Sequence, residues 1–143
     1  MLIGEYRHNL DAKGRVAIPV KFRSKFDDEI IITRGIDNCL FGYTKSEWEK
    51  MVEKVTQLPF SQRDSRAFSR LLLAGAVESE IDGQGRVLIP EYLRTYAKLQ
   101  KKVVMVGVHS RIEIWDHDAW IAYQKGSEEN AEDIAERLSD LGI

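Results

Sequence analysis

The stretch DAKGRVAIP (residues 11–19) returns 71 residues later as DGQGRVLIP (residues 82–90), with six of nine positions identical. An Asp followed three positions on by a Gly suits a type I turn closed at positive φ, a conformation glycine enters without steric penalty. The Asp carboxylate can accept from the turn's own amides, or from the arginine four residues on. Asp11, Gly14, Asp82 and Gly85 are therefore expected to brace two equivalent turns. Arg15 and Arg86 can brace the same turns, present a guanidinium to a phosphate or a guanine edge, or do both.

Similarity continues outward from the turn. Phe22-Arg23 answers Leu93-Arg94 at the same spacing of 71, and Gly35-Ile36 answers Gly107-Val108 at a spacing of 72, one inserted residue later. At that second spacing Leu40 meets Ile112, Tyr43 meets Trp115 and Trp48 meets Trp120. Thr44 meets Asp116, and both are good helix N-caps. Core types and cap types thus recur together, as an internal duplication requires.

Each copy reads alike. A strand (5–10; 77–81) enters the turn and another (15–18; 86–89) leaves it, so the turn reads as a hairpin connection. Pro19 and Pro90 stop the strand and open a short helix (20–26; 91–99). A β-branched run (29–35; 102–107), a turn, a short strand (39–43; 111–115) and a capped helix (46–55; 117–124) complete the unit. Between the copies, 61–76 reads as one helix with a Ser61-x-x-Asp64 start and an apolar stripe of Phe68, Leu71 and Leu72. After them, 127–142 reads as a separate helix capped by Ser127, with Ile134, Leu138 and Leu141 as its stripe and Gly142 as its end. The chain so divides into a first half (1–55), a connector (56–76), a second half (77–125) and an acidic C-terminal helix (126–143).

A half of about 70 residues would be marginal alone, because small domains bury too little of their surface, whereas two halves sharing one core escape that limit. The apolar share of 43% is normal for a chain with a real core. One cysteine, Cys39, leaves no internal disulfide and no cysteine-built zinc site. With no long apolar run, a soluble cytoplasmic protein is expected, without membrane partners.

Net charge is −2, but its distribution is uneven. Residues 1–25 carry six bases (Arg7, Lys13, Arg15, Lys21, Arg23, Lys25) against two acids, while residues 126–143 carry one base against six acids. One basic face and an acidic appendage fit this pattern, as do ordinary solvated faces. The second turn is poorer in base: Gln84 replaces Lys13, and Glu91 stands next to the position matching Lys21.

Catalysis finds little support. His8, His109 and His117 lack metal-ligand spacing, Cys39 lies in an apolar stretch, and the Gly-Arg pairs lack the Lys-Ser/Thr of a phosphate loop. Asp11 and Asp82 both occupy turn-forming positions. No enzyme activity, cofactor, metal or small-molecule substrate is expected.

The paired turns resemble the Asp-x-x-x-Arg signature of the SpoVT-AbrB domain, in the tandem arrangement of the MraZ family. The likeness runs from GEYRHNLDAKGRVAIPVKFR through TRGIDNCLFGY and RLLLAGAVESEIDGQGRV to VGVHSRIEIWD, almost the whole chain in order. It implies an α+β, mainly β fold: two tandem swapped-hairpin halves forming one pseudo-twofold, double-psi-like barrel with flanking helices. It also implies a DNA-binding transcriptional regulator, a repressor, of a bacterial division and cell-wall gene cluster that includes its own gene. Such a protein would assemble as an octamer-like ring and bind short direct repeats in double-stranded promoter DNA, in the cytoplasm at the nucleoid. Arg15, Lys13, Arg7, Arg86, Lys21 and Arg23 are the expected DNA contacts. A different class of function, an antitoxin-like or scaffolding module with a protein partner, is raised by the acidic tail and its apolar stripe.

Overall fold

The computed structural model describes all residues, 1–143. Eight strands form in the order the repeat anticipates: β1 (Ile3–Asn9), β2 (Arg15–Ala17), β3 (Glu29–Arg34), β4 (Leu40–Tyr43), β5 (Val77–Glu80), β6 (Arg86–Leu88), β7 (Lys102–Val108) and β8 (Ile112–Asp116). Six make an antiparallel sheet in the order β1-β7-β8-β4-β3-β5, and β2 and β6 pair separately as a two-stranded ribbon. No helix is long and apolar enough to cross a membrane.

The pairing corrects one local expectation. The turn at 11–14 reads as a hairpin, yet β1 pairs with β7, β2 with β6 and β5 with β3. At the turn itself the Asp11 amide donates to the Arg15 carbonyl (2.9 Å) and the Gly14 amide to the Asp11 carbonyl (3.0 Å), and no β-ladder continues from there between the two arms. Local sequence sets the turn, but the backbone partners of both arms come from the other half. Each half alone would leave β1, β2 or their counterparts without partners, and unpaired backbone groups near a core are costly. The two halves fold as one body.

Alternation along the sheet separates two cores. On one face Leu40, Val103, Met105, Ile112 and Ile114 join Val16, Ile18 and Phe22 from the first half and Val87, Ile89 and Leu93 from the second. The short helices α1 (Val20–Arg23) and α4 (Glu91–Tyr96), each opened by its proline, close that core with Phe22 and Leu93. The opposite face carries Phe41, Tyr43, Val104, Val106 and Trp115, covered by helices. The ribbon and the longer helices therefore lie on opposite sides of the six-stranded sheet.

Those helices are α2 (Lys45–Thr56), α3 (Arg63–Ser69) and α5 (His117–Glu129), and α6 (Ala131–Arg137) follows α5 without joining that core. Thr44 and Asp116 cap α2 and α5 as expected, accepting from the amides of Glu47 (3.2 Å) and Ala119 (3.2 Å). The connector departs from the sequence reading. Its α-helix starts after Gln62, with no side-chain cap from Ser61, and passes at Arg70 into a π-helical turn that ends at Ala74. The wider turn shifts the buried face, so Leu72 and Leu73 pack with Phe68, and Leu71 does not. Carbonyls freed by this winding are taken up from β3: the buried Thr33 hydroxyl donates to Leu72 O (2.6 Å) and Arg34 to Leu71 O (3.2 Å).

The tail departs too. Ser127 caps nothing, because α5 runs through it to Glu129 and its amide lies inside a continuous helix. The break falls at Asn130, whose side chain donates back to Gly126 O (2.8 Å). Gly142 ends the chain's last turn in the left-handed region (φ 87°), as its position suggested.

Candidate nucleic-acid interface

The two turns are built alike. Asp11 Oδ1 accepts from the Lys13 and Arg15 amides (2.9 Å each), and Oδ2 from Arg15 Nε (2.8 Å). In the second turn Asp82 Oδ1 accepts from the Gln84 (2.8 Å) and Arg86 (2.9 Å) amides, and Oδ2 from Arg86 Nε (3.0 Å). These bonds favour the carboxylate. The Arg15 amide foremost, with its guanidinium and the Lys13 amide, holds the Asp11 carboxyl down to about 2, against an opposing effect of desolvation. Asp82 is lowered for the same reason, with the Arg86 amide foremost. Gly14 (φ 84°) and Gly85 (φ 76°) close the turns from the left-handed region.

Bracing and display turn out to be compatible. In each turn arginine the Nε binds the Asp, and neither Nη has a hydrogen-bond partner within the chain. The ribbon register then brings the two arginines together. Arg15 stands opposite Leu88 and Arg86 opposite Ala17, with Val16 and Val87 paired between them. Side chains alternate, so both valines enter the core (1% exposed each) and Arg15, Ala17, Arg86 and Leu88 share the outward face. The arginines are diagonal neighbours on that face, within reach of long side chains.

The remaining expected contacts distribute unevenly. Lys13 projects from the turn next to Arg15, and Lys21 is exposed on α1. Arg7 sits elsewhere, bridged to Glu5 (3.4 Å), which in turn accepts from Trp120 and Gln124 of α5 (3.2 Å each). That contact puts Arg7 on the helix-bearing side of β1, apart from the ribbon. Arg23 is committed inward: its Nε donates to Ile18 O (2.8 Å) and its guanidinium lies against Gly85, the turn glycine of the other half. Arg94 mirrors it, donating to Ile89 O (2.9 Å) and lying against Gly14. Each turn is thus covered by an arginine from the opposite half. Sequence reading missed this role of Arg94, although its repeat match to Arg23 was the signal for it. It also missed Leu88, half exposed between the turn arginines.

Cys39 is fully buried, its thiol donating to Ile36 O (3.1 Å) and pushed far up by burial, as a small core hydrophobe would be. No group of three or more His, Cys, Asp and Glu side chains is placed to hold a metal ion.

Comparison with known proteins assigns the chain. A family profile described as "MraZ protein, putative antitoxin-like" matches twice, over residues 1–71 and 72–141. A protein of Ligilactobacillus salivarius named transcriptional regulator MraZ is 51% identical over 143 residues, covering all of both chains. Proteins of the same name from Thermoanaerobacter sp. (50%) and Caldanaerobacter subterraneus subsp. tengcongensis (48%) match over the same full length. The solution structure of PHS018 from Pyrococcus horikoshii superposes with a TM-score of only 0.34, at 15% identity, over 80% of this chain and 88% of that one. The chain belongs to the MraZ family.

Proposed function

We propose, with MraZ membership as the premise, that this chain is a sequence-specific DNA-binding transcriptional regulator whose reading element is the outward face of the β2–β6 ribbon. The observation that supports it best is the ribbon register, which gives Arg15 and Arg86 one shared face with their Nη groups free. A two-stranded antiparallel ribbon fits the major groove of B-DNA, and an arginine fork matches the O6 and N7 of guanine. Leu88 and Ala17 add apolar surface of the kind that meets a thymine methyl. Lys13 and Lys21 serve phosphates, Arg7 acts only at the flank, and Arg23 contributes by holding the opposite turn.

The finer picture follows the family resemblance. The halves 1–55 and 77–125 form a pseudo-twofold, swapped-hairpin, double-psi-like barrel, with 56–76 as connector and 126–143 as appendage. The chain assembles into an octamer-like ring, and a ring repeats its subunit in one sense, which suits directly repeated boxes better than a palindrome. It represses the division and cell-wall cluster that contains its own gene, in the cytoplasm at the nucleoid. A net charge of −2 is no obstacle, since several weak basic patches engaged together bind strongly when geometry allows.

The test is a titration of the protein against a duplex from its own gene's upstream region and a scrambled duplex, at several salt concentrations. Tight, salt-sensitive preference for the native duplex is the expected result. Equal binding to both overturns sequence-specific reading. Binding to neither, with stoichiometric capture of a different protein, favours the antitoxin-like reading that the exposed acidic tail keeps open.

A further inference from the structure

Between the end of α2 and α3 runs a groove of about 310 Å³ floored by Val55, Leu58 and Leu73. Phe60 stands at its edge, 85% exposed, among the most exposed large apolar side chains of the protein. Two arginines and no acid line it. Arg66 is fixed at the rim by donating to the Phe60 and Ser61 carbonyls (3.1 Å each), and Arg70 has no ion-pair or side-chain hydrogen-bond partner. The groove is apolar, basic and uncovered.

Elsewhere in the same chain is a segment with the opposite character. Beyond α5, residues 131–143 carry Leu138, Leu141 and Ile143 at 40%, 77% and 84% exposure. Glu132, Asp133, Glu136 and Asp140 surround them, and none forms an ion pair within the chain. The helix α6 has its main contacts with α5 and with the short turn at Ser139–Leu141. Apolar residues left in water on an acidic background are what an apolar groove with a basic rim would accept.

We infer that residues 131–143 of one chain seat in the α2–α3 groove of a second copy, joining subunits head to tail. The occupant is a second copy because a chain's own tail leaves its own groove open. The two surfaces differ, so the contact is heterologous and propagates to a ring or a filament, not to a two-fold dimer. The groove shares Val55 and Leu73 with the core on the helix-bearing side of the sheet, so a tail seated there leaves the β2–β6 ribbon uncovered. The inference supplies the interface for the assembled regulator proposed above and rests on that reading for its biological purpose alone.

The experiment is sedimentation velocity on the full chain without DNA, using wild type, Phe60→Asp, Leu141→Asp and a 1:1 mixture of the two variants. Both positions are exposed, and a native circular dichroism spectrum confirms that each variant is folded. Wild type is expected to sediment as an assembly and each variant alone as a monomer. The mixture is expected to form a 1:1 dimer and stop there, because Phe60→Asp keeps an intact tail and Leu141→Asp an intact groove. Variants that assemble like wild type, a monomeric wild type, or a mixture that stays monomeric would each overturn the docking. Operator titration is read separately, so an assembled protein without DNA preference sinks the regulator reading and leaves the docking standing.

Discussion

At the scale of single residues, the turn glycines give the sharpest expectation. Gly85 holds φ 76° with Arg23 of the other half against it. A side chain there both strains the backbone and displaces that arginine from Ile18 O. Gly85→Ala should destabilise by about 1–3 kcal/mol, the usual range for a non-glycine residue forced into such a conformation. A urea midpoint equal to wild type would contradict this. Asp11 carries a pH signature: its carboxyl is held at about 2, below the ordinary 3.8, so its stabilisation is complete above that ordinary value and is lost as pH falls towards 2. Melting curves of wild type and Asp11→Asn should differ by a constant amount from about pH 5 upward and converge below about pH 4. A gap that widened in acid would show the carboxylate is not the stabilising form. Lys13→Ala should reduce the salt slope of DNA binding by about 1 per engaged site, as a lost phosphate contact does. The Asp, Gly and Arg roles were legible in the sequence because they close within five residues. Arg23 and Arg94 were not, because each braces a turn in the opposite half.

Among the elements, what the sequence shows and what it hides divides by the same distance. Caps at Thr44 and Asp116, the left-handed turns after Gly35 and Gly107, and the proline-opened α1 and α4 depend on near neighbours and form where their residues place them. The connector does not. Its π-helical turn is held by Thr33 and Arg34 of a strand almost forty residues away, with the Tyr92 hydroxyl donating to Gly75 O (2.8 Å) at its end. Helical spacing in 61–76 therefore placed Phe68 and Leu72 in the core correctly but chose Leu71 where the wider turn brings Leu73. Thr33→Val keeps shape but orphans the buried Leu72 carbonyl, and should cost about 1–3 kcal/mol. Unchanged stability would mean that the π-turn holds itself. Ser127 failed as a cap for a related reason: α5 was already propagating, and adding residues to a formed helix is easier than starting another.

For the whole molecule, the duplication explains both the symmetry and its breaking. Core positions match between the two copies, Val16 with Val87, Ile18 with Ile89 and Phe22 with Leu93, so one shared core serves two halves that would be marginal alone. The surface does not match. At the spacing of 71, Arg7 faces Glu78, Asn9 faces Glu80, Lys13 faces Gln84 and Lys21 faces Tyr92. These surface positions of the first copy are thus basic or neutral where their matches in the second are acidic or neutral. This charge difference was readable from the sequence, whereas the pairing of β1 with β7 and of β2 with β6 was not legible in the residues, because local spacing cannot name a partner strand. The same asymmetry ranks the two turn arginines. Arg86→Ala should weaken operator binding less than Arg15→Ala, since Arg86 lacks the flanking bases that would bring DNA to it.

The measurement that tests the central claim most directly is the operator affinity of Arg15→Ala, made on protein shown to be folded and assembled like wild type. Its ion pair with Asp11 is only partly buried (31% and 34% exposed) and Asp11 keeps its bonds from the Lys13 and Arg15 amides, so losing the guanidinium should cost little stability. The ribbon account predicts a loss of about 1–3 kcal/mol per engaged site, the worth of a bidentate guanine contact, together with reduced preference for the native duplex over the scrambled one. Wild-type affinity and preference in that variant would contradict it, and would move DNA reading away from the β2–β6 face.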